Sequence, residues 1–239
     1  MIFKASYASM TGSAHQQIGT PCQDSVRIQR GDGVLCVALA DGAGSRAMSH
    51  MGSGLVAERV CQLLCDAFSQ LYSLDSTTAA QRILHCCLEG LNQLPYPLHD
   101  LASTLLFFAA DNQGHFLSGH LGDGVQIMVN CDTPYVFSMP ENGEDPGITW
   151  FVTSPDALEH FRITTGQLPE HGEMLLMSDG MAAGLYQYDT QEPARACVTI
   201  SRWLREEEED VISEALKENM RNLFSRKSAD DLSLAVISW

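Results

Sequence analysis

The sequence predicts an α+β domain built in layers, and three observations carry that prediction. Nine short strand-like runs are spread along the whole chain. Two amphipathic helical patterns fall together between the third and fourth of these runs, instead of alternating with strands as a βαβ repeat would. Three runs, "VLCVALA", "EMLLMS" and "LSLAVIS", are apolar enough to lie centrally in a sheet.

The strand-like runs are Ile2–Ser9, Ser25–Gln29, Val34–Ala40, Thr104–Ala110, His115–Gly119, Val125–Val129, Tyr135–Ser138, Met174–Met177 and Leu232–Ser238. Each is apolar or alternating and is bounded by Gly, Pro, Asp or Asn. The stretch "AADNQGHF" joins two of them as a hairpin turning at Asn112–Gly114. The helical patterns are Met51–Tyr72, with Leu55, Val56, Val60, Leu63, Leu64 and Phe68 on one face, then Thr77–Leu91 and Val211–Phe224. Residues 139–170 lack clear periodicity and are rich in Pro, Gly and acids, which reads as a loop-dominated excursion beside a site. No internal repeat or low-complexity segment is present.

A length of 239 residues with nothing resembling a linker suits a single domain over residues 1–239. No apolar run approaches the roughly 18 residues that span a bilayer. The start "MIFKASYASM" lacks a signal-peptide apolar region, so a cytoplasmic location without a membrane partner is expected. A formal charge of −16 repels phosphate backbones and argues against nucleic acid as a partner. Part of that acidity is the run "REEEED", which reads as a solvated helix start. None of the eight cysteines forms C-x-x-C. Cys61 and Cys65 fall within a helical apolar pattern and read as small core residues rather than zinc ligands.

Chemistry is carried by aspartates at strand ends. Asp24 and the pair Asp230–Asp231 each stand just before a strand, Asp41 and Asp179 just after one, and Asp123 between two. Asp41, Asp123 and Asp179 each precede a glycine. One Asp-Gly is ordinary turn chemistry. Several carboxylates at the mouths of central strands can converge, and convergence is expensive. Two of them about 4 Å apart repel by on the order of 4 kcal/mol at an effective dielectric of about 20. Such a cluster takes up protons or binds cations, and oxygen ligands favour Mg²⁺ or Mn²⁺ over Zn²⁺. Glycine beside a ligand permits close approach, so Asp41 can bridge metals while the Gly42 carbonyl ligates one.

Six pieces stand in order along the chain: "QD" at Gln23–Asp24, "ADGAG" at Ala40–Gly44, "ST" at Ser103–Thr104, "GHLGDG" at Gly119–Gly124, "LLMSDG" at Leu175–Gly180 and "ADDLSLAVI" at Ala229–Ile237. With them the sequence resembles the metal-dependent protein Ser/Thr phosphatases of the 2C type, in a bacterial branch. The resemblance implies a four-layer αββα sandwich, two packed antiparallel β-sheets flanked by helix pairs, with a binuclear Mn²⁺ or Mg²⁺ centre at one end. It implies Asp24, Asp41, Gly42, Asp179 and Asp230 as metal ligands, and Asp123 at the position of a weaker third metal. It also implies hydrolysis of phosphoserine and phosphothreonine monoesters by a metal-bridging hydroxide, with phosphorylated proteins as substrates and a cognate Ser/Thr kinase as counterpart.

The chain departs from that pattern in three places. Where many members carry a phosphate-binding arginine, five residues before the first aspartate, this sequence has Gly19. His15 or Arg46 is the candidate replacement, and His15, His120 or a water the candidate proton donor. A core role for His120 is the alternative. Ala183 stands where a second acid is frequent, which weakens the case for a third metal. The segment after Asp123 is short for the flap-like insert of many members. Alternative readings are a catalytically weak pseudophosphatase acting as a binding module, and a small-molecule phosphoesterase.

Overall fold

The computed structural model describes residues 1–142 and 149–239. In chain order the elements are β1 (Lys4–Met10), α1 (Ser13–Ile18), β2 (Ser25–Gly31), β3 (Val34–Ala40), α2 (Ser49–Tyr72), α3 (Ser76–Leu91), β4 (Leu105–Asp111), β5 (His115–Leu121), β6 (Val125–Asn130) and β7 (Thr133–Ser138). There follow α4 (Ala157–His160), β8 (Arg162–Gln167), β9 (Glu173–Met177), α5 (Asp179–Leu185), β10 (Tyr186–Gln187), β11 (Glu192–Pro193), α6 (Ala196–Glu206), α7 (Glu209–Asn222) and β12 (Leu232–Ser238).

Two five-stranded antiparallel sheets form, in the orders β1-β12-β9-β6-β7 and β2-β3-β4-β5-β8. Their inner faces share one core of Val26, Leu35, Val37, Leu39, Leu106, Phe108, Met174, Leu176, Ala235 and Ile237. The outer face of the second sheet packs Cys36, Ala38, Phe107 and Ala109 against α2 and α3. The outer face of the first packs Ile127, Leu175, Leu234 and Val236 against α5, α6 and α7. The result is an α+β sandwich in four layers, αββα. Side chains alternate across a strand, and here both faces are covered. That is why β3 and β12 read as unbroken apolar runs and are buried at every position.

All nine expected strands are present, with ends shifted by a few residues. The hairpin turn is also found, with Asp111 Oδ1 accepting from the N–H groups of Gln113 and His115. Cys61 and Cys65 are buried among α2 core residues, and all eight cysteines are free. The acidic run straddles two helices: Arg205 and Glu206 end α6, and Glu209 and Asp210 form the first turn of α7. Acids there suit the positive end of the helix dipole.

Loop does dominate the described residues of the 139–170 excursion, with two short elements set in it. These are α4 and the edge strand β8, which pairs with β5 alone. In "RITTGQ" only Ile163 is buried, so an edge strand leaves little apolar signal. Residues 143–148 of that excursion lie outside the described residues. The helix α6 is a further element that the sequence patterns did not announce, although Cys197, Ile200, Ser201 and Leu204 are buried at helical spacing. Among the described residues no helix is long and apolar enough to cross a membrane.

Candidate metal centre

The ends of β3 and β9 and the starts of β2 and β12 meet at one edge of the sandwich. Asp24 lies two residues before Val26 and Asp41 two after Leu39, so both point as those side chains do, into the space between the sheets. The Asp41 backbone is anchored by Thr104, whose N–H donates to Asp41 O at 2.8 Å. In return the Asp41 N–H donates to Thr104 Oγ1 at 3.0 Å. Gly42 donates its N–H to Gln23 O at 3.1 Å. A Cβ at Gly42 would come within 2.7 Å of Gln23 O and 2.9 Å of Ser49 O. No larger residue fits between β2 and the start of α2.

Asp123 sits in the turn joining β5 to β6, and Asp179 opens α5 directly after β9. Together with Asp230, Asp41 and Gly42 they line one cleft of about 330 Å³. Ala43, Gly44, Ser45, Thr104, Thr149 and Phe151 complete its walls, so the 139–170 excursion does border the site. Asp24 is buried beneath.

The electrostatics follow from this crowding. Burial, then the charges of Asp24, Asp179, Asp123 and Asp230, push Asp41 well above the carboxylate range. Burial pushes Asp24 up to about 7, the nearby Ser178 and Ser233 hydroxyls lowering it in part and Asp231 raising it. Asp123 rises to about 6 through burial and then Asp179. Asp179 rises through burial and then Asp230. Neither Asp24 oxygen completes a hydrogen bond, although both are buried. A buried carboxylate left unpaired is strongly unfavourable. Five convergent carboxylates with one such orphan therefore fit a divalent cation with oxygen ligands.

The other sequence candidates fall around this cleft. His15, on α1, is buried with Nδ1 3.0 Å from Asp231 Oδ2. A Cβ at Gly44, on the cleft wall, would lie 3.9 Å from His15 Nε2. Arg46 lies on the β3–α2 loop beside the cleft residues Gly44 and Ser45, its side chain exposed. Among the described residues its guanidinium has no ion pair or hydrogen bond. Its carbonyl is tied down by Gln23 Nε2 and Ser49 Oγ, both at 3.1 Å.

Gly19 ends α1 in the left-handed conformation at a φ of 73°. That conformation favours glycine over an arginine there. His120 is a core residue. Its Nδ1 is 2.8 Å from Ser138 Oγ and its Nε2 3.0 Å from Gly122 O. Burial, with Arg162 adding, lowers it to about 3, which removes it as a proton donor. Ala183 brings no further acid to α5. Two residues with a structural part here carried only weak sequence signals: Thr104, visible only as part of "ST", and Asp231, visible only as the neighbour of a candidate ligand.

The layered architecture and the acid-lined cleft together define an αββα sandwich protein with a candidate divalent-cation site. The chain belongs to the protein phosphatase 2C family, whose model, described as protein phosphatase 2C, matches residues 11–221. Solved structures repeat the fold at low identity. The catalytic domain of the serine/threonine protein phosphatase PstP, in complex with two manganese ions, superposes with a TM-score of 0.66 at 17% identity, covering 98% of this chain and 97% of that one. PppA, described as a key regulatory component of the T6SS in Pseudomonas aeruginosa, gives 0.65 at 15% identity, covering 100% and 99%. RsbX in complex with magnesium gives 0.59 at 17% identity, covering 99% and 94%. No curated protein sequence matches the chain.

Proposed function

We propose that residues 1–239 form one metal-dependent phosphatase domain that hydrolyses phosphoserine and phosphothreonine monoesters in proteins. The observation that carries this reading is the convergence of Asp24, Asp41, Asp123, Asp179 and Asp230 on one cleft, with both buried Asp24 oxygens unpartnered. Family membership supports the hydrolase class. The metals in the PstP and RsbX structures support Mn²⁺ or Mg²⁺.

In this reading Asp24, Asp41, Asp179 and Asp230, with the Gly42 carbonyl, hold two divalent cations, and Asp123 serves a weaker third. Cations bound there supply Lewis acidity toward the phosphoryl oxygens and acidify a water for in-line attack. The remaining work belongs to the chain's own groups. The carboxylates hold the cations in place, so a dianionic phosphate can enter an otherwise acidic protein. His15 offers a hydrogen bond to the phosphoryl group or a proton to the leaving oxygen. Arg46, at the rim, offers a guanidinium fork to phosphate oxygens that Gly19 cannot supply. The partners are phosphorylated proteins with a cognate Ser/Thr kinase, and the compartment is the cytoplasm.

The test is hydrolysis of a phosphothreonine peptide and of p-nitrophenyl phosphate with Mn²⁺, with and without excess EDTA. Peptide turnover that EDTA removes supports the reading. Turnover of the small ester alone would transfer the protein to the small-molecule phosphoesterases. No turnover of either would make it a binding module, the reading that the glycine at position 19 favours.

A further inference from the structure

Asp231 follows a candidate metal ligand in sequence, yet its oxygens are turned away from the cleft. Oδ1 accepts the Gly12 N–H at 2.7 Å and Oδ2 accepts the Gln23 N–H at 2.6 Å. Asp231 is 2% exposed, whereas Asp230 beside it is exposed and lines the cleft. Two backbone donors therefore hold the Asp231 carboxylate still, and His15 Nδ1 stands 3.0 Å from Oδ2. His15 is itself nine-tenths buried, and its Nδ1, though 3.0 Å from Oδ2, completes no hydrogen bond, so burial and that close contact restrain the ring. The other nitrogen, Nε2, would lie 3.9 Å from a Cβ on Gly44, a residue of the cleft wall. His15, Asp230 and Asp231 each present a ligating atom within 4.8 Å of the others.

We propose that Asp231 is a positioning residue, which holds the His15 imidazole so that Nε2 faces the phosphoryl group of a substrate in the cleft. A buried carboxylate that orients a histidine by one ring nitrogen, leaving the other for the reaction, is a recurring device of catalytic sites. Here it places a donor on the cleft wall of a chain whose Gly19 has no side chain to offer. The assignment rests on the phosphatase reading above. It gives the two adjacent acids different partners, with Asp230 directed toward the cations and Asp231 toward the histidine.

The experiment uses the full chain and two variants, Asp231→Asn and His15→Gln, with their double. With Mn²⁺ present, each single variant is expected to raise the KM for p-nitrophenyl phosphate and the inhibition constant of inorganic phosphate at least tenfold. The double is expected to be no worse than the more damaged single, because the two residues act as one unit. In the metal-free protein, ¹⁵N spectra of the imidazoles provide a second readout. The His15 ring signals are expected to move in Asp231→Asn to those of a ring no longer held at Nδ1. Unmoved signals would overturn the proposal, as would additive losses in the double or unchanged constants in His15→Gln. If Asp231→Asn does not fold, His15→Gln, which leaves the Asp231 clamp on Gly12 and Gln23 intact, decides through phosphate inhibition. Should the wild type turn over no phosphoester, the phosphatase reading fails on its own. Phosphate titration and the ring spectra then still judge the Asp231–His15 pair.

Discussion

Asp24 faces Asp41 across the β2–β3 ladder. Ser25 pairs with Ala40, and the Gly42 N–H bonds Gln23 O, so the rung between them sets the two aspartates opposite each other. Cα atoms of such a non-hydrogen-bonded pair approach to about 4.5 Å. Like charges placed directly opposite are destabilising. Asp24 is buried beneath the cleft and Asp41 half-buried on its wall, so the repulsion is relieved by protons or by cations.

A pH dependence of stability follows, with a definite sign. Asp24 is raised from 3.8 to about 7 and Asp123 from 3.8 to about 6. The metal-free native state therefore binds more protons than the unfolded chain between about pH 4 and pH 7, and its stability falls as pH rises through that window. His120 opposes this: lowered from 6.5 to about 3, it contributes stability above 6.5 that is lost as pH falls toward 3. Asp24→Asn should flatten or reverse the downward slope and stabilise the metal-free protein at pH 8 by more than about 1 kcal/mol. Melting temperatures from pH 4 to 8 in EDTA would show it. A variant less stable than wild type at pH 8 would contradict the repulsion.

Cation binding should relieve the same repulsion. Mn²⁺ at a hundred times its dissociation constant is expected to raise stability by about 2.7 kcal/mol. The gain should shrink toward pH 5, where protons compete for the carboxylates. Thermal unfolding with and without metal tests this, and a metal-independent melting temperature at pH 8 would oppose it.

Asp41→Asn and Asp179→Asn are expected to lower turnover at least a hundredfold, about 2.7 kcal/mol of transition-state stabilisation. Asparagine keeps the volume and one oxygen but loses the charge. Folding should persist, since Asp41 is anchored through its backbone to Thr104 and not through its carboxylate. Circular dichroism beside a phosphopeptide assay separates loss of activity from loss of fold.

The neighbours Asp230 and Asp231 should respond differently to alanine. Asp230 is exposed on the cleft, so Asp230→Ala should weaken metal binding and turnover with little change in stability. Asp231→Ala strands the Gly12 and Gln23 N–H groups, each such loss costing about 1–3 kcal/mol. Denaturant unfolding and metal titration on both variants would settle the division, and equal behaviour would refute it.

Arg46 is exposed at the rim with its backbone fixed and its guanidinium unengaged among the described residues. Arg46→Ala should reduce phosphopeptide turnover about tenfold, about 1.4 kcal/mol, without altering the melting temperature. An unchanged rate would leave phosphate recognition to the cations and His15.

Much of this protein was legible in its residues one segment at a time. The nine strands, the hairpin at Asn112–Gly114 and the helices α2, α3 and α7 follow from local periodicity and turn residues, because each of those signals acts within a few positions. Runs such as "VLCVALA" announced strands buried on both faces. The edge strand β8 and the short helices α1 and α4 were not legible, since they bury few apolar side chains of their own, and α5, which buries Met181, Ala182 and Leu185, is too short to show a helical period.

The sequence by itself determined that aspartates stand at strand ends, that three of them precede glycine, and that their order matches one family. Only the tertiary structure decided what each acid meets. Asp24 lies opposite Asp41 through the register of two strands. Asp231 is turned onto Gly12, Gln23 and His15, more than two hundred positions earlier in the chain. His120 is satisfied by Ser138 and Gly122 within the core. The physical reason is range. Strand and turn preferences are set by neighbours along the chain, whereas a carboxylate's charge, pKa and partners are set by groups brought within a few ångströms by the packing of two sheets.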